Sequence, residues 1–292
     1  MAVTSGRRAP GHRPRVRRRF GQHFLAAGWA ERVLAAIAPA PGDVFLEIGP
    51  GRGALTLPLA RTGVPVLAVE IDRDLAAGLA AQVPPNVTLL TGDILRLDVV
   101  PILGGLQPSR PPGAAGPAPS RRLRVAGNLP YNLTSPILSW LVDRAVSDAV
   151  FADATVMLQR EVADRLVARP GTKAYGVLGI LVRRHATIVR LLDLPPAAFT
   201  PPPRVHSSVV RFTFHPPAPS VPDEDRFAAL VKALFSQRRK MLANALAQVC
   251  PAPRALLEAA ALDGRRRPET LDLDELARLA FRLAGTPRTP VL

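Results

Sequence analysis

The chain has 292 residues, 48% of them hydrophobic, and a formal net charge of +15. That length supports one sizeable core plus a smaller appendage. The single cysteine, Cys250, excludes a disulfide scaffold and a cysteine-based zinc site and fits a reducing cytoplasm, and no run of about 18 uncharged apolar residues offers a membrane span. All but three of the 38 basic residues are arginines. A genome-wide compositional bias explains arginine over lysine, but not the excess of positive charge. Because the guanidinium fork binds two phosphate oxygens at once, the charge implies a polyanionic partner, nucleic acid first.

Residues 1–19 hold seven arginines and no acid. Gly6, Pro10, Gly11 and Pro14 break the amphipathic helix that a transit peptide needs, so a flexible basic arm is expected. Helical spacing begins at 29–38, where Trp29, Val33, Leu34 and Ile37 share a face. Short apolar runs at 44–48, 64–69, 87–90, 123–126 and 155–158 then alternate with helix-like stretches at 53–61, 73–82 and 135–146. This alternation predicts an α/β, Rossmann-like fold, a parallel sheet covered on both faces. Runs at 187–192 and 208–214, joined by a long proline-rich turn, predict an antiparallel pair at the sheet edge. Residues 104–120 read GGLQPSRPPGAAGPAPS; with no apolar period they are expected to form a disordered loop, dispensable for chemistry.

From 217 onward the pattern is helical only. Phe227, Leu230, Val231, Leu234, Leu242, Leu246 and Val249 recur at helical spacing, and candidates follow at 255–262 and 273–283. Asp272 with Glu275 three residues on resembles a capping box. The expected organisation is therefore an arm at 1–19, an α/β domain at 20–216 and a small all-α domain at 217–292.

The strand ends carry the chemistry. The first runs into Glu47-Ile48-Gly49-Pro50-Gly51-Arg52-Gly53-Ala54, where glycines let the backbone turn tightly and approach a ligand. The second ends at Glu70, placed to hold ribose hydroxyls, and the third at Gly92-Asp93, placed to accept from an adenine amine. Ligands of open α/β sheets bind at this carboxyl edge. Each feature alone has a bland reading: a chance turn, a surface acid, a helix-capping aspartate. Together they predict a nucleoside cofactor, with NAD and S-adenosylmethionine not separated by these residues.

The fourth strand ends in Asn128-Leu129-Pro130-Tyr131-Asn132. An exocyclic adenine nitrogen is a poor nucleophile because its lone pair is delocalised into the ring. Acceptors such as the Asn128 side-chain oxygen and the Leu129 carbonyl, aimed at its two hydrogens, would hold it pyramidal. Pro130 fixes the backbone that presents them, and Tyr131 offers a face for a flipped base. With a sulfonium methyl donor no strong base is needed, and rate would come from alignment and electrostatics. As a bare tetrapeptide this is an ordinary turn; its place in line with Gly49, Glu70 and Asp93 makes it a catalytic candidate.

These motifs resemble the bacterial small-subunit rRNA adenine dimethyltransferases, relatives of the erythromycin-resistance rRNA methyltransferases. The resemblance runs from 17 to about 283: RRRFGQHFL at 17–25, EIGPGRGALT at 47–56, VEID at 69–72, GD at 92–93, NLPYN at 128–132, MLQREVADRL at 157–166, KAYGVL at 173–178, AFTPPPRVHSSVVRF at 198–212 and FSQRRKMLANAL at 235–246. It implies a methyltransferase-type Rossmann sheet of seven strands. It implies two successive S-adenosylmethionine-dependent methylations on the N6 amine of each of two adjacent adenines near the 3′ end of 16S rRNA, in the small subunit or its precursor. Carried over by motif, the cofactor contacts fall on His23, Leu25, Gly49, Glu70, Asp93 and Asn128. His23 departs from the leading family pattern, which has Asn there; both can donate to the cofactor carboxylate. Phe199, in FTPPPRV, becomes a second stacking face for the target base. No metal is implied, and a cytoplasmic monomer is expected.

Three basic clusters are candidate phosphate contacts: Arg17, Arg18 and Arg19; Arg238, Arg239 and Lys240, placed on the long helix of the second domain; and Arg265, Arg266 and Arg267. They would position RNA rather than read it. Three alternatives stay open. The erythromycin-resistance class is disfavoured by FTPPPRV, FSQRRK and Leu129. A non-catalytic ribosome-assembly protein on the same fold is disfavoured by the intact loop at 128–131. A nicotinamide-dependent oxidoreductase lacks a catalytic His, Tyr-Lys or Cys constellation.

Overall fold

The computed structural model describes residues 22–106, 122–147 and 150–284. The arm expected at 1–19, with Arg17, Arg18 and Arg19, and most of the loop expected at 104–120 lie outside the described residues. The start of that loop needs correcting, because Gly104 and Gly105 complete a short helix.

In chain order the α/β part comprises β1 (Phe24–Leu25), α1 (Ala27–Ile37), β2 (Asp43–Ile48), α2 (Thr56–Arg61), β3 (Val66–Glu70), α3 (Arg73–Ala80), β4 (Val87–Thr91), α4 (Val100–Gly105), β5 (Arg122–Asn128), α5 (Thr134–Ser147), β6 (Phe151–Gln159), α6 (Arg160–Val167), α7 (Val177–Arg183), β7 (Ala186–Leu194), β8 (Phe199–Thr200) and β9 (Ser207–Phe214). Seven strands form one sheet in the order β4-β3-β2-β5-β6-β9-β7. Strands β2 to β6 are parallel to one another, and β9 enters antiparallel between β6 and β7. The expected antiparallel pair is present, with β7 at the edge and β9 inside the sheet.

Side-chain alternation along β2 sorts the two cores, as a period of two requires. Val44, Leu46 and Ile48 pack with Ile137, Leu138 and Leu141 of α5. Phe45 faces the other way, onto Val33 and Ile37 of α1 and Leu59 of α2. The chain moves outward from β2 through β3 to β4, and from β5 in the opposite direction through β6. The carboxyl ends of β2 and β5 therefore flank the crevice at which such sheets bind ligands.

The last turn of α1 ends in orphan carbonyls, which two sheet arginines satisfy. Arg124 donates to Ile37 O at 2.8 Å and Ala38 O at 3.1 Å, and Arg211 donates to Ile37 O at 3.0 Å. Arg124 is itself held by Asp43 at 2.8 Å and Asp153 at 2.9 Å.

Beyond β9 lie only helices among the described residues: α8 (Glu224–Ser236), α9 (Leu242–Leu246), α10 (Pro253–Ala259) and α11 (Leu273–Ala284). They enclose a third core that also takes in Tyr175 and Ile180, so the helical unit rests on α7. The capping box before α11 is reciprocal: Glu275 N–H donates to Asp272 Oδ1 at 2.8 Å and Asp272 N–H to Glu275 Oε2 at 3.0 Å. One placement is corrected. Arg238, Arg239 and Lys240 are not on the long helix, because α8 ends at Ser236 and the chain turns before α9, with Lys240 N–H donating to Gln237 O at 2.8 Å. Among the described residues no helix is long and apolar enough to cross a membrane.

Candidate active site

A large cavity opens at the carboxyl ends of β2, β3, β4 and β5, with a volume of about 1110 Å³ that includes its open mouth. His23, Leu25, Gly49, Glu70, Asp93, Asn128, Leu129, Pro130 and Tyr131 all line it. Nine of the ten residues singled out from the sequence thus come together, although they span more than a hundred positions.

Its floor is the glycine turn after β2. Gly49, Gly51 and Gly53 have φ of +70°, +58° and +82°, a left-handed conformation that glycine adopts without penalty. Gly51 is doubly constrained, since a Cβ there would lie 3.3 Å from the Phe24 ring. Glu70 closes β3 and fastens the turn: Gly51 N–H donates to Glu70 Oε2 and Asp72 N–H to Glu70 Oε1, each at 2.9 Å. Burial nonetheless raises the Glu70 carboxyl above its ordinary value, the backbone donors opposing it. Asp93 uses Oδ1 to accept from Leu95 N–H at 3.0 Å. It therefore caps its own turn, while Oδ2 faces the exposed Arg96 guanidinium at 3.7 Å, too long for a hydrogen bond and loose enough for a ligand to displace.

Asn128 ends β5. Its Nδ2 donates to the backbone oxygen of His23 at 2.9 Å. A carbonyl can only accept, so the amide orientation is fixed and Oδ1 is the atom left to receive a hydrogen bond. The Leu129 side chain is buried and its N–H donates to Met157 O at 3.1 Å, anchoring the loop to β6. Pro130 O is taken by Leu133 N–H at 2.9 Å and the Thr134 hydroxyl at 3.3 Å. Among the described residues nothing donates to Asn128 Oδ1 or Leu129 O. Tyr131 lies half-buried with its hydroxyl 2.8 Å from Ser207 Oγ, and burial raises its phenol above the ordinary value.

Two sequence expectations change. Phe199 is 2% exposed and packs in the core with Leu25 and Val209 instead of lining the cavity. It pairs with Leu25 across the β1–β8 ladder, so it backs the segment that reaches the cavity, and its core reading prevails. His23 is in the cavity, but its Nδ1 lies 2.7 Å from Pro201 O and must be the donor there. In the neutral ring Nε2 then carries no hydrogen, so His23 donates to a second acceptor only as imidazolium. Its ring instead stacks on Tyr131, with centroids 5.8 Å apart and planes 28° apart.

Glu47 is a further residue of the site that strand-end position does not single out. It lines the cavity, is 2% exposed, and its Oε2 has no hydrogen-bond partner. Burial pushes its carboxyl up to about 7, with Glu70 adding to the rise and Thr56 opposing it. The signal was available: an acid stands between Leu46 and Ile48 in a strand buried along its length. Ser207 was also missed, because its link to Tyr131 spans 76 positions and no local pattern encodes it.

The fold and this cavity define an S-adenosylmethionine-dependent methyltransferase. The profile described as "Ribosomal RNA adenine dimethylase" matches residues 13–278, and the chain belongs to that family. Among its relatives, proteins named "Ribosomal RNA small subunit methyltransferase A" are 40% identical in Xylella fastidiosa, covering 91% of this chain and 95% of the relative, and 42% identical in a Burkholderia species, covering 91% of each. Among solved structures, a dimethyladenosine transferase from Plasmodium falciparum superposes with a TM-score of 0.68 at 21% identity, covering 88% of this chain and 96% of that one. The 23S rRNA methyltransferase ErmE gives a TM-score of 0.63 at 24% identity, covering 90% and 100%. At those identities the two structures speak to the fold.

Proposed function

We propose that this enzyme dimethylates the N6 amines of two adjacent adenines near the 3′ end of 16S rRNA, using S-adenosylmethionine, as a cytoplasmic monomer that supports small-subunit biogenesis. When bound, that cofactor supplies a methyl group already activated on a positively charged sulfur. The residues present fit it. The glycine turn has no Cβ to obstruct a nucleoside, and Glu47 offers a buried carboxylate oxygen without a partner to a cationic ligand. Glu70 keeps lone pairs for ribose hydroxyls, and Asp93 Oδ2 suits an adenine amine. Gly49 and the His23–Leu25 segment border the remaining part of the molecule.

The observation that carries the reading is the Asn128 amide. Because Nδ2 is committed to His23 O at 2.9 Å, Oδ1 is preorganised as an acceptor. Oδ1 and Leu129 O together receive the two hydrogens of an exocyclic amine and localise its lone pair, a fixed-dipole device that costs no reorganisation during the reaction. Tyr131 provides the face against which the extruded base rests. A 42% relative named for the small subunit favours that rRNA over the large-subunit RNA named for ErmE at 24%.

The helical region from about 217 onward then serves as an RNA-positioning unit. Arg239, Lys240, Arg265 and Arg267 are exposed and make no ion pair among the described residues. Arg238 pairs with Glu269 at 2.8 Å and Arg266 with Glu275 at 2.5 Å, so these two hold the protein together.

The test is to incubate the protein with unmodified small subunits and radiolabelled S-adenosylmethionine and to map the label. Dimethyladenine at two adjacent positions is expected. Cofactor binding without transfer would leave an assembly protein on this fold.

A further inference from the structure

Tyrosine at position 131 has a hydroxyl that stacking does not require. Its partner is Ser207, which is 0% exposed and opens β9. Ser207 is held from both sides, opposite Gln159 of β6 and Leu194 of β7, so its Oγ projects from a strand paired along both edges. Tyr131, in contrast, begins a three-residue 3-10 turn just outside β5. The 2.8 Å contact between their hydroxyls ties a loop ring to a strand inside the sheet. The ring's other neighbour is His23, stacked at 5.8 Å and fastened through Nδ1 to Pro201 O at 2.7 Å. Both restraints thus come from the segment 201–207: one acts on the ring face, the other on its far end.

We infer that Ser207 is a positioning residue for methyl transfer, fixing the plane of the Tyr131 ring and through it the angle at which the target base presents its amine to Asn128 Oδ1 and Leu129 O. The inference rests on Tyr131 being the stacking face proposed above. It carries a consequence for the order of products. An unmodified amine has two hydrogens and is aligned by two acceptors. After one methylation a single hydrogen remains, so alignment depends more heavily on the ring plane. Loosening the ring therefore slows the second methylation more than the first.

The experiment compares Ser207→Ala, Tyr131→Phe, the double variant and Tyr131→Ala in single turnover on unmodified small subunits. Mono- and dimethyladenine are counted, and cofactor affinity is measured separately. Ser207→Ala and Tyr131→Phe are each expected to slow transfer on the order of tenfold, the effect of one lost buried hydrogen bond plus the unpaired hydroxyl left behind. Both are expected to raise the ratio of mono- to dimethyladenine, with cofactor affinity unchanged. The double variant is expected to be no slower than the slower single one, since neither hydroxyl is then stranded. If Ser207→Ala does not fold, Tyr131→Phe removes the same bond from its other end and decides the matter. Wild-type rate and product ratio in Tyr131→Phe, with Tyr131→Ala inactive, overturn the role of Ser207 alone. So does a slowed Ser207→Ala whose product ratio is unchanged and whose cofactor affinity falls, the mark of a structural defect. Wild-type transfer by Tyr131→Ala overturns the stacking role of Tyr131 and the present inference with it.

Discussion

Asn128 and Glu47 occupy one cavity and differ in how their polar atoms are satisfied. Asn128 has its donor committed and its acceptor free, so Asn128→Ala removes the acceptor and releases the His23 carbonyl together. Transfer by this variant is expected to fall by about 10²–10³-fold in single turnover, the range for losing one preorganised polar contact, and full activity would dismiss the loop mechanism. Glu47 has an oxygen with no partner. Burial holds its carboxyl at about 7 against an ordinary 4.5, so the folded protein keeps this proton longer than the unfolded chain does. The associated stability is present below about pH 4.5 and is lost as pH rises through 7, amounting to about 3 kcal/mol. Glu47→Gln cannot ionise, so its denaturant stability relative to the parent is expected to increase between pH 5 and pH 8. A constant difference across that range would show that the carboxyl does not titrate there. Sequence position alone located Gly49, Glu70, Asp93 and Asn128, because each ends a strand and strand ends converge at a switch point. It misplaced Phe199, whose burial is set by the β1–β8 ladder, a pairing of two-residue strands too short to leave a periodic signal.

Elements were legible where burial imposes a period. β2, β3 and β5 are buried on both faces and read as apolar runs, and α1, α5 and α11 carry one apolar stripe each. Helices α6 and α7 leave no clear period: α6 is short and interrupted by charge at Arg160, Glu161, Asp164 and Arg165, and α7 has seven residues that are apolar up to the terminal Arg183. The break between α8 and α9 was invisible because Leu242 and Leu246 continue the helical spacing of Leu230 and Leu234 across a turn. The join of α1 to the sheet depends on long-range arginines that no periodicity reports. Arg124 is 4% exposed, donates to two carboxylates and caps α1, so truncating it leaves buried Asp43 with only the half-exposed Arg122, at 2.6 Å, as a cationic partner. Arg124→Ala is expected to lose on the order of 3–5 kcal/mol in denaturant unfolding. Arg124→Lys should restore little of this, since an ammonium cannot reproduce a fork that reaches two carboxylates and two carbonyls. A loss below 1 kcal/mol for Arg124→Ala would mean that Arg122 suffices for Asp43 and Arg211 for the helix end.

At the scale of the whole molecule, a charge of +15 says that a polyanion is met but not where. The structure divides the basic clusters by what their neighbours already do. Arg238 opens one cluster in sequence and Arg266 is the middle of another, yet both are turned toward acids of the helical unit. The turns that carry them meet: Leu242 N–H donates to Arg266 O at 2.7 Å and Ala243 N–H to Gly264 O at 3.1 Å. This apposition brings the segment of the exposed Arg239 and Lys240 close to that of the exposed Arg265 and Arg267. Arg238 also donates to Lys173 O at 3.2 Å, bringing the exposed Lys173 to the edge of the same surface. If that surface lies along RNA phosphates, each cation that touches one releases counterions, and log K falls with log salt by roughly 0.7–0.9 per contact. The paired variant Arg239→Ala with Lys240→Ala should therefore flatten the salt dependence of small-subunit binding by about 1.4–1.8 in slope. Its thermal unfolding should stay at the parent value, because neither side chain makes an ion pair or side-chain hydrogen bond among the described residues. Arg238→Ala should do the reverse, lowering stability as Glu269 loses its partner while changing the salt slope little. An unchanged slope in the Arg239/Lys240 variant would move the RNA-facing surface away from these turns and leave the cavity and its loop chemistry untouched.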